Sequence, residues 1–166
     1  MDDTIEEIQS QIEARIIKGY DMGKLTWFRA GGQAKGFVTI NNISDLKTIT
    51  RFSKKIKYYI SGVGSNLLVR DNGFNGLIIK LGKSFNKIKL RNDNLIVGSG
   101  VLDSNLAKFA AKNLIKGFEF FSGIPGTIGG AVKMNAGCFG YQTVDNLKGV
   151  LLINKFGNLK YFNSSD

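Results

Sequence analysis

A chain of 166 residues with 43% apolar and 11% aromatic content, including twelve Phe, is long and apolar enough to bury a core and is not a disordered tail. One cysteine excludes an internal disulfide framework and multi-cysteine zinc sites, and the absence of His removes Ser-His-Asp, Cys-His and H-E-x-x-H chemistry, so any reaction is expected to be carried by a cofactor. The formal charge of +10 suits acidic small molecules, an anionic surface or nucleic acid, yet no helix-turn-helix, RNP or zinc-finger pattern converts it into specific nucleic-acid recognition.

The N-terminal Met-Asp-Asp-Thr is acidic and no apolar run reaches transmembrane length, which predicts a cytoplasmic protein with no membrane partner. Residues 3–17 read as an amphipathic helix: Asp3 and Glu6 have capping-box spacing, and Ile5, Ile8, Ile12 and Ile16 recur every three or four positions. Leu25-Thr-Trp-Phe-Arg-Ala-Gly-Gly32 follows, with a turn at the glycines and Arg29 placed either to pair with a carboxylate or to touch a ligand phosphate. A strand over 36–40, a helix over 45–55 capped by Ser44, and strands over 57–61, 67–69 and 77–81 come next. The 57–61 strand runs directly into Gly62-Val-Gly-Ser-Asn66, and ligands commonly sit at such strand ends.

From Gly82 the pattern changes. A hairpin over 87–90 and 95–98 turns at Asn92-Asp-Asn94. A helix from Asp103 or Ser104 runs through Leu106, Phe109, Ala110 and Leu114 and stops at Gly117, placed as its C′ residue. Phe118-Glu-Phe-Phe121 leads into Ser122-Gly-Ile-Pro-Gly-Thr-Ile-Gly-Gly-Ala-Val-Lys-Met-Asn-Ala-Gly137, which holds five glycines and the only proline. Strands over 149–153 and 159–162 flank Asn154-Lys-Phe-Gly-Asn158 as a second hairpin. The change of character near 81–86 predicts two lobes, 1–82 and 83–166.

Both glycine stretches read as anion cradles. Glycine lets a ligand approach the main chain, and successive N–H groups form nests that attract phosphate. No acidic residue lies between Glu119 and Asp145, and Ser122, Thr127 and Lys133 add donors. Neither stretch matches G-x-x-x-x-G-K-[ST] or G-x-G-x-x-G, and a plain glycine-rich turn without ligand fits the same composition. Two such loops would suit a diphosphate-bearing ligand if both close on it.

Thr26-Trp-Phe-Arg-Ala-Gly-Gly32, Ser61-Gly-Val-Gly-Ser-Asn-Leu-Leu-Val-Arg-Asp71 and the run from Phe118 to Gly137 resemble, in order and spacing, the bacterial UDP-N-acetylenolpyruvoylglucosamine reductases (UDP-N-acetylmuramate dehydrogenases, the MurB family). The resemblance implies an α+β, two-lobed FAD-binding fold of the vanillyl-alcohol-oxidase (PCMH) type, with FAD bound noncovalently. By it Gly62, Val63, Gly64, Ser65 and Asn66 hold the pyrophosphate. Gly123, Ile124, Pro125, Gly126, Thr127, Gly129 and Gly130 line the cofactor, with Ala136 and Gly137 nearby. It also implies NADPH as reductant and a UDP-sugar enolpyruvate as substrate, in peptidoglycan synthesis.

Three departures stand out. Leu25 replaces the family's usual Asn, and Cys138-Phe-Gly-Tyr-Gln142 replaces Ala-Tyr-Gly-Gly-Glu, with Cys138 read as packing. Family members are also roughly twice this length, and their catalytic arginine, proton-donating Ser or Cys, late Glu and substrate-binding lobe fall beyond residue 166. The chain is therefore expected to be the flavin-binding portion, truncated before that lobe, with catalytic residues unassigned and exposed apolar surface favouring self-association. A noncatalytic FAD-binding remnant is the alternative, and a basic nucleic-acid-binding module, which leaves the glycine loops unexplained, is a third.

Overall fold

The computed structural model describes residues 2–164. Helices and strands are mixed, as an α+β chain requires. The chain forms two compact units, one running to Gly82 and taking in Leu151–Phe162, the other built on Lys83–Val150. The terminal hairpin thus groups largely with the first unit, not with the 83–166 lobe where the sequence placed it.

The first unit is a four-stranded sheet flanked by helices. α1 covers Asp2–Gln9 and β1 covers Ile16–Asp21, so the expected 3–17 helix is one short helix, a turn and a strand. Side chains hold the turn. Gln9 donates to Ala14 O at 3.1 Å and accepts from Ile16 N at 2.7 Å, while the Asp45 carboxylate accepts from Glu13 N and Ala14 N at 3.2 and 2.9 Å. All four isoleucines of the predicted stripe are buried nonetheless. The periodicity identified the buried positions and misjudged the element.

β2 (Gln33–Ile40), β3 (Tyr58–Ser61) and β4 (Phe74–Leu81) complete the sheet in the order β1-β2-β4-β3, antiparallel at β1·β2 and parallel elsewhere. Residues one apart on a strand face opposite sides. Accordingly Ile5, Ile16 and Leu77 gather over Gly36 on one face, and Phe37 and Ile78 pack with Met22, Leu25 and Ala34 on the other. Full burial of aliphatic side chains such as Leu77, Ile78 and Ile79 contributes roughly 1.5–3 kcal/mol each. α2 (Ile43–Arg51) starts from Asn42, whose side chain accepts from Asp45 N at 2.7 Å, so the cap is Asn42 and not Ser44. Residues 67–69, expected as a strand, do not pair; Leu67 and Val69 pack on the Met22–Phe37 cluster, and Gly32 N donates to Arg70 O.

In the second unit β5 (Ile88–Arg91) and β6 (Asn94–Val97) pair across Asn92-Asp93, both left-handed, the backbone that a two-residue hairpin turn demands. α3 covers Asp103–Lys112 and α4 covers Ile128–Met134. Their apolar faces meet Phe120 and Phe121, whose rings lie 4.2 Å apart, over Val101, Leu106, Ala107 and Ala131. α3 stops at Lys112, short of Gly117: Leu114 takes the left-handed conformation (φ 57°), and Ile115 N donates to Ala110 O. β7 (Gly137–Cys138) and β8 (Tyr141–Gln142) form a short ladder that leaves Cys138 half-buried against this core, a packing position. β9 (Gly149–Ile153) and β10 (Leu159–Asn163) form the expected hairpin. Its tip joins the first unit because Gly157 is buried beside Lys47 O and the Arg51 side chain of α2, and Ser53 Oγ donates to Lys155 O.

Candidate functional site

The first glycine loop leaves β3 at Ser61, at the carboxyl end of the parallel strands. Gly64 has φ 73° and is buried, and a Cβ there would lie 2.3 Å from Leu25 O, so only glycine fits. Its carbonyl accepts from Trp27 N at 3.2 Å. Among the described residues no hydrogen bond uses the N–H of Val63, Gly64, Ser65 or Asn66. Four consecutive donors are thus unbonded among the described residues, with Gly62, Val63 and Ser65 half-exposed and Asn66 exposed. Such a row suits an anion.

The surroundings match. A cavity of about 510 Å³ on the first unit is lined by Val63 of this loop together with Thr26, Trp27, Lys24, Arg29 and Lys80. Neither ion pair seen among the described residues, Lys18–Glu6 and Lys55–Glu7, involves those three cations. Of the two uses open to Arg29, a carboxylate partner is not what the described residues supply.

The second stretch is not a loop throughout. Gly123 closes a 3₁₀ turn over Glu119–Gly123, Ile124 to Gly126 are extended or bent, and Gly129 and Gly130 lie inside α4. Much of its main chain is already bonded. Ile124 N donates to Phe121 O, Ile128 N to Val101 O at 2.9 Å, Gly129 N to Ser99 O at 2.8 Å and Ala136 N to Ala131 O. Pro125 has no N–H. Gly129 lies close enough to Ser99 that a Cβ would be 2.9 Å from its carbonyl oxygen, and Gly137 sits in β7 close to Tyr141 O. Among the fourteen residues named from the sequence, the first five form one cradle in the first unit. The other nine lie in the second, with Gly123, Pro125, Gly130 and Gly137 exposed and Thr127 buried.

The second stretch is acid-free in sequence but not in space. Asp103 opens α3, and its N–H donates to Gly126 O at 3.2 Å. Its side chain is fully buried, and neither carboxylate oxygen has a hydrogen-bond partner. It packs on the bare face of Gly126, where a Cβ would stand 2.5 Å from Oδ2. Burial raises its pKa from 3.8 to about 7, because an unpartnered charge in an apolar setting is costly. Asp45, also buried, shows the usual solution, two backbone N–H donors.

Asp103, Lys24 and Lys80 were not legible as site residues. Asp103 reads as a helix start, and its neighbour Gly126 is twenty-three positions away. Lys80 carried one usable signal: on β4 it shares a face with Ile78, the side on which Leu25 packs.

Known proteins resemble this chain over most of its length. Residues 34–162 match a family described as FAD binding domain. The chain is 45% identical over 161 residues to the UDP-N-acetylenolpyruvoylglucosamine reductase of Pelagibacter ubique, covering 94% of this chain and 53% of that protein. It is 43% identical over 156 residues to the Rickettsia typhi protein of the same name, covering 93% and 53%. The solved reductase from Thermus caldophilus superposes with a TM-score of 0.77 at 30% identity, over 92% of this chain and 53% of that one. The 6-hydroxy-D-nicotine oxidase of Arthrobacter nicotinovorans, at 20% identity and a TM-score of 0.66, shares the fold alone. The resemblance drawn from three motifs, and the two-lobed flavoprotein fold it implied, are thereby borne out, and the chain spans about half the length of the curated relatives it matches.

Proposed function

Because the chain belongs to the FAD binding domain family, we propose that it is the flavin-binding portion of a reductase that uses NADPH to convert UDP-N-acetylglucosamine enolpyruvate to UDP-N-acetylmuramate. The observation that carries this is the pairing of 45% identity to such a reductase with a cradle whose donors suit a diphosphate. FAD, when bound, supplies hydride passage from NADPH to the enolpyruvyl double bond. Gly62, Val63, Gly64, Ser65 and Asn66 hold its pyrophosphate on their main-chain donors. Gly123, Ile124, Pro125, Gly126, Thr127, Gly129 and Gly130 line the cofactor, with Ala136 and Gly137 beside them. The setting is peptidoglycan synthesis in the cytoplasm, and among the described residues no helix is long and apolar enough to cross a membrane.

By the family resemblance the catalytic groups fall in the half of the relatives that this chain does not match, so the test supplies that half. Leu151, Phe156 and Tyr161 on the terminal hairpin are exposed, apolar surface that favours self-association of this chain alone. The test joins this chain to the second half of the Pelagibacter ubique relative, loads FAD and follows NADPH oxidation with the UDP-sugar. Substrate-dependent oxidation supports the reductase. Bound flavin that NADPH and the UDP-sugar leave unchanged would make the chain a noncatalytic FAD-binding remnant.

A further inference from the structure

The cavity beside the first glycine loop has a chemistry that the loop alone does not explain. Lys24 and Arg29 from one stretch and Lys80 from β4 converge on it, with no carboxylate among its lining residues. Arg29 has φ 53°, a left-handed backbone that costs a non-glycine residue roughly 1–2 kcal/mol. A local turn fixes it: Arg29 N donates to Thr26 O at 3.1 Å, and Thr26 Oγ1 donates to Ala30 O at 2.9 Å. The same turn rests on the loop, since Trp27 N donates to Gly64 O and Leu25 O fills the space beside Gly64. A strained residue held this firmly, with no ion-pair partner among the described residues and in the lining of a cavity, indicates a ligand more than a packing need. Trp27 is 59% exposed at the same cavity, so an apolar ring lies open beside the three charges.

We infer that Lys24, Arg29 and Lys80 form a phosphate subsite continuous with the Gly62–Asn66 loop, which takes the phosphate end of a nucleotide while Trp27 borders its apolar part. It rests on the flavin reading. The loop supplies fixed main-chain donors. The three side chains add long-range attraction and neutralise the charge that loop amides leave on a diphosphate. The diphosphate of FAD and the ribose phosphate of NADPH share this chemistry, and competitors separate the two sources.

The test measures dissociation constants of FAD, riboflavin and ADP for the 166-residue chain and for Lys24→Gln, Arg29→Gln, Lys80→Gln and the triple variant, at several salt concentrations. Each single variant is expected to weaken FAD and ADP about tenfold and to leave riboflavin unchanged. The triple variant should show a shallower salt dependence. Lys80→Arg, which keeps the charge, should retain affinity, and circular dichroism identifies any variant that has lost its fold. Displacement by ADP assigns the subsite to the FAD diphosphate; preference for 2′,5′-ADP assigns it to NADPH. FAD and ADP bound by the triple variant as by the wild type overturn the subsite and leave the flavin reading standing. ADP binding lost in the triple variant, in a chain that takes no flavin, keeps the subsite and overturns the flavin reading.

Discussion

The two glycine stretches look alike in sequence and differ in what they do with their main chain. Among the described residues, Gly62–Asn66 leaves the N–H of Val63 to Asn66 unbonded, beside a cavity lined by three cations. The stretch after Ser122 directs its Ile124, Ile128 and Gly129 N–H groups to carbonyls of its own unit and packs Gly126 on a buried, unpartnered carboxyl. Glycine content therefore reports close approach of main chain to something. In the first loop Gly64 approaches the Leu25 carbonyl while the N–H groups around it stay unbonded; in the second the glycines approach the protein and much of the main chain is bonded to it as well.

Replacing Gly64 gives the largest effect. Gly64→Val must break both a φ of 73° and a hypothetical 2.3 Å approach to Leu25 O, and should cost at least about 4 kcal/mol in denaturant unfolding. Tolerance of valine would show that the loop is not held as described.

The second stretch is probed through Asp103. Its folded pKa near 7 lies above its ordinary 3.8, so the folded chain binds this proton more tightly than the unfolded chain does. Asp103 therefore opposes folding only when ionised: stability is full below about pH 4 and falls as pH rises toward 7, by up to about 4 kcal/mol. Asp103→Asn should flatten that window in unfolding curves recorded between pH 4 and 8. A wild-type curve with no fall across it would mean that the carboxyl finds a donor.

A smaller effect isolates the contact itself. Gly126→Ala places a methyl 2.5 Å from Oδ2 and should cost about 2 kcal/mol, most of it recovered in the Gly126→Ala, Asp103→Ala double variant. Additive losses would separate the two residues. The smallest is a control just past the end of α3: Leu114→Gly relieves a left-handed, 91%-exposed leucine and should raise stability by about 0.5–1 kcal/mol without altering the pH slope.

What the sequence made legible follows from range. Elements set by local pattern emerged close to their true bounds, as with β3 and both hairpins, whose turn chemistry sits in adjacent residues. The 3–17 helix failed because Ile12 and Ile16 are buried from a turn and a strand, which Gln9 and Asp45 hold through contacts as far as 32 positions apart. Gly117 looked like a helix end, but the chain turned left-handed at Leu114 and closed α3 first, at a residue whose type does not announce such a turn. The family and its flavin fold were legible because motif spacing carries tertiary information that composition does not. Asp103 and the Lys24–Arg29–Lys80 cluster were illegible, since only folding brings them beside the loops.

The most direct test of the account is the visible spectrum of the purified chain after incubation with FAD and removal of free cofactor. The account predicts a retained oxidised-flavin spectrum in the wild type and in Asp103→Asn, and its loss in Gly64→Val. A folded wild-type chain that keeps no flavin, or a Gly64→Val chain that keeps it, would contradict the claim that the free main-chain donors of the first loop hold the cofactor.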